Sequence, residues 1–228
     1  MTRRGAVTKA LLSCGALAGP LFVTTFTFAG RKREGYEPRR HPVSALALGP
    51  GGAVQRANFI ATGALYLAGA AGLARTHGHR HRSARSPALI AAAGVGLIGA
   101  ALFATDPVSG YPPDTSSQPS HPSRTGTLHT LCAIPVFVGI PLAALLSARA
   151  AARAHASGWA VYSAASGMLM AASAVLAGAG FGQHPVLVES GGLLQRVSIV
   201  TGFGWATALS IQRALDMARS SEPCPLLA

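Results

Sequence analysis

The chain has 228 residues, of which 50% are hydrophobic and only 11% charged, with 27 Gly. Soluble domains carry roughly 25% charged residues, so this composition excludes an ordinary soluble domain and fits a protein whose surface faces lipid. The formal net charge of +12 would suit nucleic acid, but no basic face with interleaved aromatics is present, and the basic residues flank the apolar stretches as topology signals do.

Six stretches are long and apolar enough to cross a bilayer as helices of about 20 residues: 9–29, 58–74, 87–105, 126–147, 158–180 and 194–215. The predicted fold is an all-α integral membrane bundle of six transmembrane helices, one multipass domain over 1–228. Only helices satisfy their backbone groups inside lipid without a closed barrel. Within the first stretch the apolar run Leu11 to Phe28 follows Arg3, Arg4 and Lys9 and nearly spans the hydrocarbon core, which favours a retained helix over a cleaved leader. Leu11-Leu12-Ser13-Cys14 is not a lipoprotein box, since too few apolar residues precede Cys14. Cys14, Cys132 and Cys224 form no C-x-x-C pair, and no disulfide or structural zinc is expected. Pro20, Pro135 and Pro141 fall inside predicted helices and should kink them. Gly63, Gly69, Gly72, Gly94, Gly96 and Gly99 stand at spacings that permit close helix contact.

The loops set the expected orientation. With both termini cytoplasmic, the inner side holds Arg3, Arg4, Lys9, Arg75, Arg80, Arg82, Arg85, Arg149, Arg153, Arg213 and Arg219, the majority of the 19 basic residues. The inner loops 76–86 and 148–157 are then short and basic. The outer loops 30–57, 106–125 and 181–192 are longer and carry the chemically interesting side chains. The inner run His77-Gly78-His79-Arg80-His81-Arg82 reads as a solvated basic loop, with metal or anionic lipid as the sharper alternatives.

The outer ends collect His41, Ser44, Asn58, Asp106, Tyr111, His121, His129, His184, Glu189, Gln195 and Arg196. Ionisable groups at membrane depth are functional candidates. The candidate pocket for a lipid headgroup or small amphiphile comprises His41, Ser44, Asn58, Asp106, Tyr111, His129, Gln195 and Arg196. The bland alternative is that Asp106 caps a turn, His129 bonds a neighbouring helix and Arg196 pairs with an acid. No metal is expected, because no tight ligand spacing is present; were one bound, Asp106, His121 and His129 are the candidates. Ser44 lacks the G-x-S-x-G context of a nucleophile and suits a turn or cap. Haem would need paired His deep in the bilayer. No cofactor is expected.

Three motifs resemble a bacterial membrane family catalogued as domain of unknown function 998, common in actinobacteria. They are His41-Pro42-Val43-Ser44-Ala45-Leu46 with Gly49-Pro50-Gly51-Gly52 and Asn58-Phe59, Asp106-Pro107 with Gly110-Tyr111-Pro112-Pro113 and His129, and Gly192-Leu193-Leu194-Gln195-Arg196. The resemblance covers about 19–215. It implies a six-helix membrane protein and no assigned activity. A more distant likeness to eukaryotic six-helix proteins of the autophagy-modulator and lipid-anchor-remodelling type points toward lipid-related work by analogy.

The leading expectation is therefore a non-enzymatic multipass protein of the cell membrane that binds a lipid headgroup or small amphiphile on its outer side. The alternatives are a membrane-embedded metal-dependent hydrolase and a small transporter. Expected partners are membrane lipids, with a second copy or another membrane protein as further candidates and nucleic acid excluded.

Overall fold

A computed structural model describes residues 3–76 and 85–219. Among the described residues there are six long helices and no strand. They are α1 (Arg3–Arg31), α2 (Gly52–Thr76), α3 (Arg85–Leu102), α4 (Arg124–Arg153), α5 (Ser157–Phe181) and α6 (Gly191–Arg219). The first five are long and apolar enough to cross a membrane and mark the chain as a membrane protein. Helix α6 matches α1 in length but carries Gln195, Arg196, Gln212, Arg213 and Asp216, and is less apolar. The His77–Arg82 run singled out above lies outside the described residues.

Each expected helix exists, and five of the six extend past the predicted bounds at both ends. The exception is α3, which stops at Leu102 rather than 105. Helix α4 contains one π-helical turn, Pro135–Gly139, followed at once by Pro141. Pro135 and Pro141 cannot donate to the ladder, and π turns and prolines are the usual causes of a re-aimed helix. Of the three prolines expected to kink helices, Pro135 opens this irregular turn and Pro141 follows it, while α1 runs as one helix through Pro20.

The helices form a closed ring in chain order, α1 to α6, with α6 packed against both α5 and α1. Contacts are closest where side chains vanish. A Cβ added to Gly69 of α2 would lie 2.6 Å from the Cα of Gly15 in α1, so the two backbones touch. Polar side chains bind helices to each other where the apolar drive between them is weak. Trp205 Nε1 of α6 donates to Ser163 Oγ of α5 at 3.0 Å, Ser198 Oγ to the Met170 carbonyl at 2.9 Å, and Thr207 Oγ1 to the Ala16 carbonyl of α1 at 3.1 Å. Interhelical bonds of this kind average about 0.6 kcal/mol in membrane proteins. Three on one helix compensate in part for the lower apolarity of α6.

One departure from regular packing positions the site. The second half of α4, Ile140–Arg153, packs along α5, while its first half, Arg124–Ile134, packs along α3 and not along α5. The two helices therefore part on one side of the π turn. That side is the end of the ring carrying the three long loops, called here the loop end.

Candidate functional site

The loop between α1 and α2 is not a free surface loop. It folds over the loop end and contributes a 3-10 turn, Val43–Ala47, whose Val43, Ala45, Leu46 and Ala47 are buried. Its carbonyls are held by cations. Arg33 Nη2 donates to the Leu46 and Leu48 carbonyls at 2.6 Å each, and Arg56 Nε to the Ala47 carbonyl at 3.3 Å. Gln195 of α6 accepts the Val43 N–H through Oε1 at 2.7 Å.

Arg196 ties the next segment. Its Nη1 donates to the carbonyls of Pro38, His41 (3.2 Å) and Gly192 (2.9 Å), and its Nη2 to the Tyr36 hydroxyl. The guanidinium also stands 5.6 Å from the ring centroids of both Phe26 and Tyr36. A planar fork with five donors suits this arrangement, and an ammonium does not. Tyr36, His41 and Tyr111 stack beside it, with centroids 5.2 Å apart for Tyr36–Tyr111 and for His41–Tyr111.

His41 is 4% exposed, and its neighbours assign its tautomer. Nδ1 accepts the Glu37 N–H at 2.9 Å, so Nε2 carries the proton and donates to the Ser109 carbonyl at 3.2 Å. Burial pushes its pKa below the ordinary value of 6.5, against the opposing pull of the Ser109 carbonyl and of Glu37. Burial likewise raises the Tyr36 hydroxyl, against the effect of Arg196. The three loops are thus one folded unit. His41 joins the first to the second, Gln183 Nε2 joins the third to Ser109 Oγ at 3.3 Å, and Arg40 pairs with Glu189 at 3.3 Å.

Asp106 has a local role. Its Oδ2 accepts the Ser123 N–H at 2.9 Å at the start of α4, where Ser123 Oγ in turn accepts from Gly126 N. A carboxylate at a helix N-terminus is favourable. A Cβ on Gly126 would overlap Asp106 Oδ2, so the glycine is what admits the carboxylate. His129, one turn on, donates from Nδ1 to the Ala100 carbonyl in the last turn of α3 at 3.1 Å and to the Phe103 carbonyl just beyond it at 3.0 Å. That contact lies where α3 stops short of residue 105. Asn58 is buried and bonded to the Phe22 carbonyl at 3.1 Å and to Gln55. Asp106, His121 and His129 are not brought together: among the described residues no group of three or more His, Cys, Asp or Glu could hold a metal ion, and His121 is exposed.

Below this unit the ring holds a partly open cavity of about 400 Å³, within the roughly 300–1,000 Å³ of small-molecule sites. Every helix contributes: Phe22, Phe59, Leu97 and Ala100, then Thr130, Ala133 and Phe137 of α4, Ala174, Ala177, Gly178 and Phe181 of α5, and Gln195, Ile199 and Phe203 of α6. Val43 and Ser44 of the 3-10 turn roof it, and His129 and Thr105 complete its loop end. From Gln195 to Phe203 is eight residues, about 12 Å at 1.5 Å per residue. The walls are apolar, and the polar side chains sit near the roof.

Of the eight residues singled out from sequence, Ser44, His129 and Gln195 line the cavity. His41, Tyr111 and Arg196 meet in the loop unit above it, and Asn58 and Asp106 hold backbone groups beside it. The sequence reading missed Tyr36, the hydroxyl on which Arg196 closes, and the aromatic and small residues of the cavity walls.

A family model described as "Protein of unknown function (DUF998)" matches residues 16–212. Neither the curated proteins nor the solved structures contain a match. The matched region spans both the cavity and the loop unit, and the chain belongs to this family.

Proposed function

We propose that this family member is a multipass protein of the cell membrane, with six spans, both termini cytoplasmic and the loop end outside, and that its cavity binds a lipid or small amphiphile. The observation that carries this is the cavity itself: apolar walls running about 12 Å from a polar roof, the polarity profile of a molecule with a chain and a head. Ligand sites in bundles are typically lined by apolar and aromatic groups with a few placed polar ones. Support for the sixth span is the place of α6 in the ring, between α5 and α1. Support for the orientation is the set Arg75, Arg85, Arg149 and Arg153 at the end opposite the long loops, as basic residues favour the cytoplasmic side.

The test is equilibrium binding of a fluorophore carried on a dodecyl chain to the purified protein in detergent. The reading expects saturable binding at one site per chain, lost when a tryptophan replaces Ala177 in the cavity wall. Partition without saturation, equal in the variant, would overturn it.

A further inference from the structure

The cavity differs from an anion site in one respect. None of its lining side chains is Asp, Glu, Lys or Arg. Four loop-end cations spend donors elsewhere: Arg196 and Arg33 on backbone carbonyls, Arg56 on the Ala47 carbonyl, Arg40 on Glu189. A charged head placed inside would touch no charged side chain among the lining residues and would lose water in a site of low polarity, which is costly at membrane depth.

What the roof does offer is neutral hydrogen bonding. His129 is 6% exposed and lines the cavity. Its Nδ1 proton is fixed on the Ala100 and Phe103 carbonyls, which leaves Nε2 without a partner among the described residues. In the neutral ring that nitrogen is an acceptor. The Gln195 amide spends Oε1 on Val43 and keeps its N–H donors, and the Ser44 hydroxyl can donate or accept.

The cavity also has a side door. Thr130 of α4 and Gly178 of α5 both line it and both are exposed, so it opens where these helices part. A Cβ added at Gly178 meets nothing within 4 Å. The surface around the opening is apolar: Leu131 is 54% exposed, Ile134 49% and Val175 72%. An opening framed by such residues faces acyl chains, not water.

Resting on the amphiphile site proposed above, we infer that the ligand is a neutral single-chain lipid, with one alkyl or acyl chain and an uncharged hydroxyl or amide head, entering from the bilayer between α4 and α5. Its chain lies along Phe59, Ile199 and Phe203. Its head meets Ser44, Gln195 and His129.

The experiment uses full-length protein in nanodiscs with two photoreactive probes of equal chain length, each bearing a diazirine in the chain: a monoacylglycerol and the corresponding lysophosphatidic acid. Crosslinked peptides are located by mass spectrometry. The proposal expects the monoacylglycerol to label α4 and α5 around the cavity, in competition with unlabelled monoacylglycerol and with roughly 100-fold weaker competition from the phosphate analogue. Gly178→Trp, which fills the opening, abolishes the labelling. Thr130→Trp, on the opposite lip, does the same and serves should the first variant not fold. Equal or stronger labelling by the phosphate probe would overturn the neutral class while leaving the amphiphile site standing. No saturable labelling of the cavity by either probe would overturn both. Undiminished labelling in a folded lip variant would overturn entry between α4 and α5.

Discussion

Replacing Arg196 separates a structural role for the loop unit from a ligand role. The guanidinium donates to three carbonyls and one hydroxyl and covers two aromatic faces. A hydrogen bond to a charged group contributes about 1.5–3 kcal/mol net, and bonds sharing one group are not additive. Arg196 is half-buried, so water recovers part of the loss. For Arg196→Met we therefore expect a destabilisation of about 3 kcal/mol, which for a chain of this size lowers the melting temperature by roughly 6–12 °C. Arg196→Lys keeps the charge but cannot span four acceptors or stack on the rings; it should lose about half as much. The assay is thermal unfolding of the purified protein in detergent, followed by the fluorescence of the fully buried Trp205. Were Arg196 held in reserve for an anionic ligand, its removal without ligand would be neutral. An Arg196→Met variant within about 2 °C of wild type would refute the assignment of these bonds.

His41 makes stability depend on pH. Its folded pKa lies below the ordinary 6.5, so the folded state binds fewer protons than the unfolded one. Its contribution is complete above about 6.5 and is lost as pH falls through the folded value; the melting temperature of wild type should drop on acidification below that point, and His41→Asn should flatten this part of the profile. Gly126→Ala should displace the Asp106 carboxylate and cost about 1–3 kcal/mol, and in Asp106→Ala the same glycine change should cost markedly less, measured as a double-mutant cycle in denaturing detergent. Gly69→Val should force α1 from α2 and lower the melting temperature more than Gly158→Val, since nothing lies within 4 Å of a Cβ at 158. Gln118→Cys, in an exposed part of the second long loop, should react with a membrane-impermeant maleimide on intact cells. Labelling only after lysis would reverse the orientation.

The helices were legible because twenty-residue apolar runs have few other uses. Their ends were less so. The apolar run reports the part of a helix that faces lipid, while α2 begins six residues earlier, at Gly52, and α6 runs on through Asp216. The end of α3 at Leu102 coincides with His129 bonding the Ala100 and Phe103 carbonyls from another helix, and no local pattern says which carbonyls it reaches. Polar residues at the loop end were legible as a group, and the plainer reading also had the role of two: Asp106 holds a turn at the start of α4 and His129 bonds a neighbouring helix, whereas Arg196 serves carbonyls and not an acid. Arg196 is conspicuous in a predicted membrane helix, but two of the carbonyls it serves, those of Pro38 and His41, belong to a loop 158 and 155 residues away. Tyr36 was passed over because it sits among the charges of a loop, which read as solvated. The cavity was invisible for a physical reason: Phe59, Ile199 and Gly178 would have the same composition whether they faced lipid, a neighbouring helix or a ligand. Only the parting of α4 from α5 distinguishes them, and the one local hint was the Pro135–Pro141 pair.

The most direct test is native mass spectrometry of the protein ejected from nanodiscs made with its own membrane lipids. The account predicts one retained lipid-sized adduct per chain in wild type, and its loss in Gly178→Trp at unchanged fold. A wild-type chain that flies without an adduct, or a variant that keeps one at the same occupancy, would contradict it.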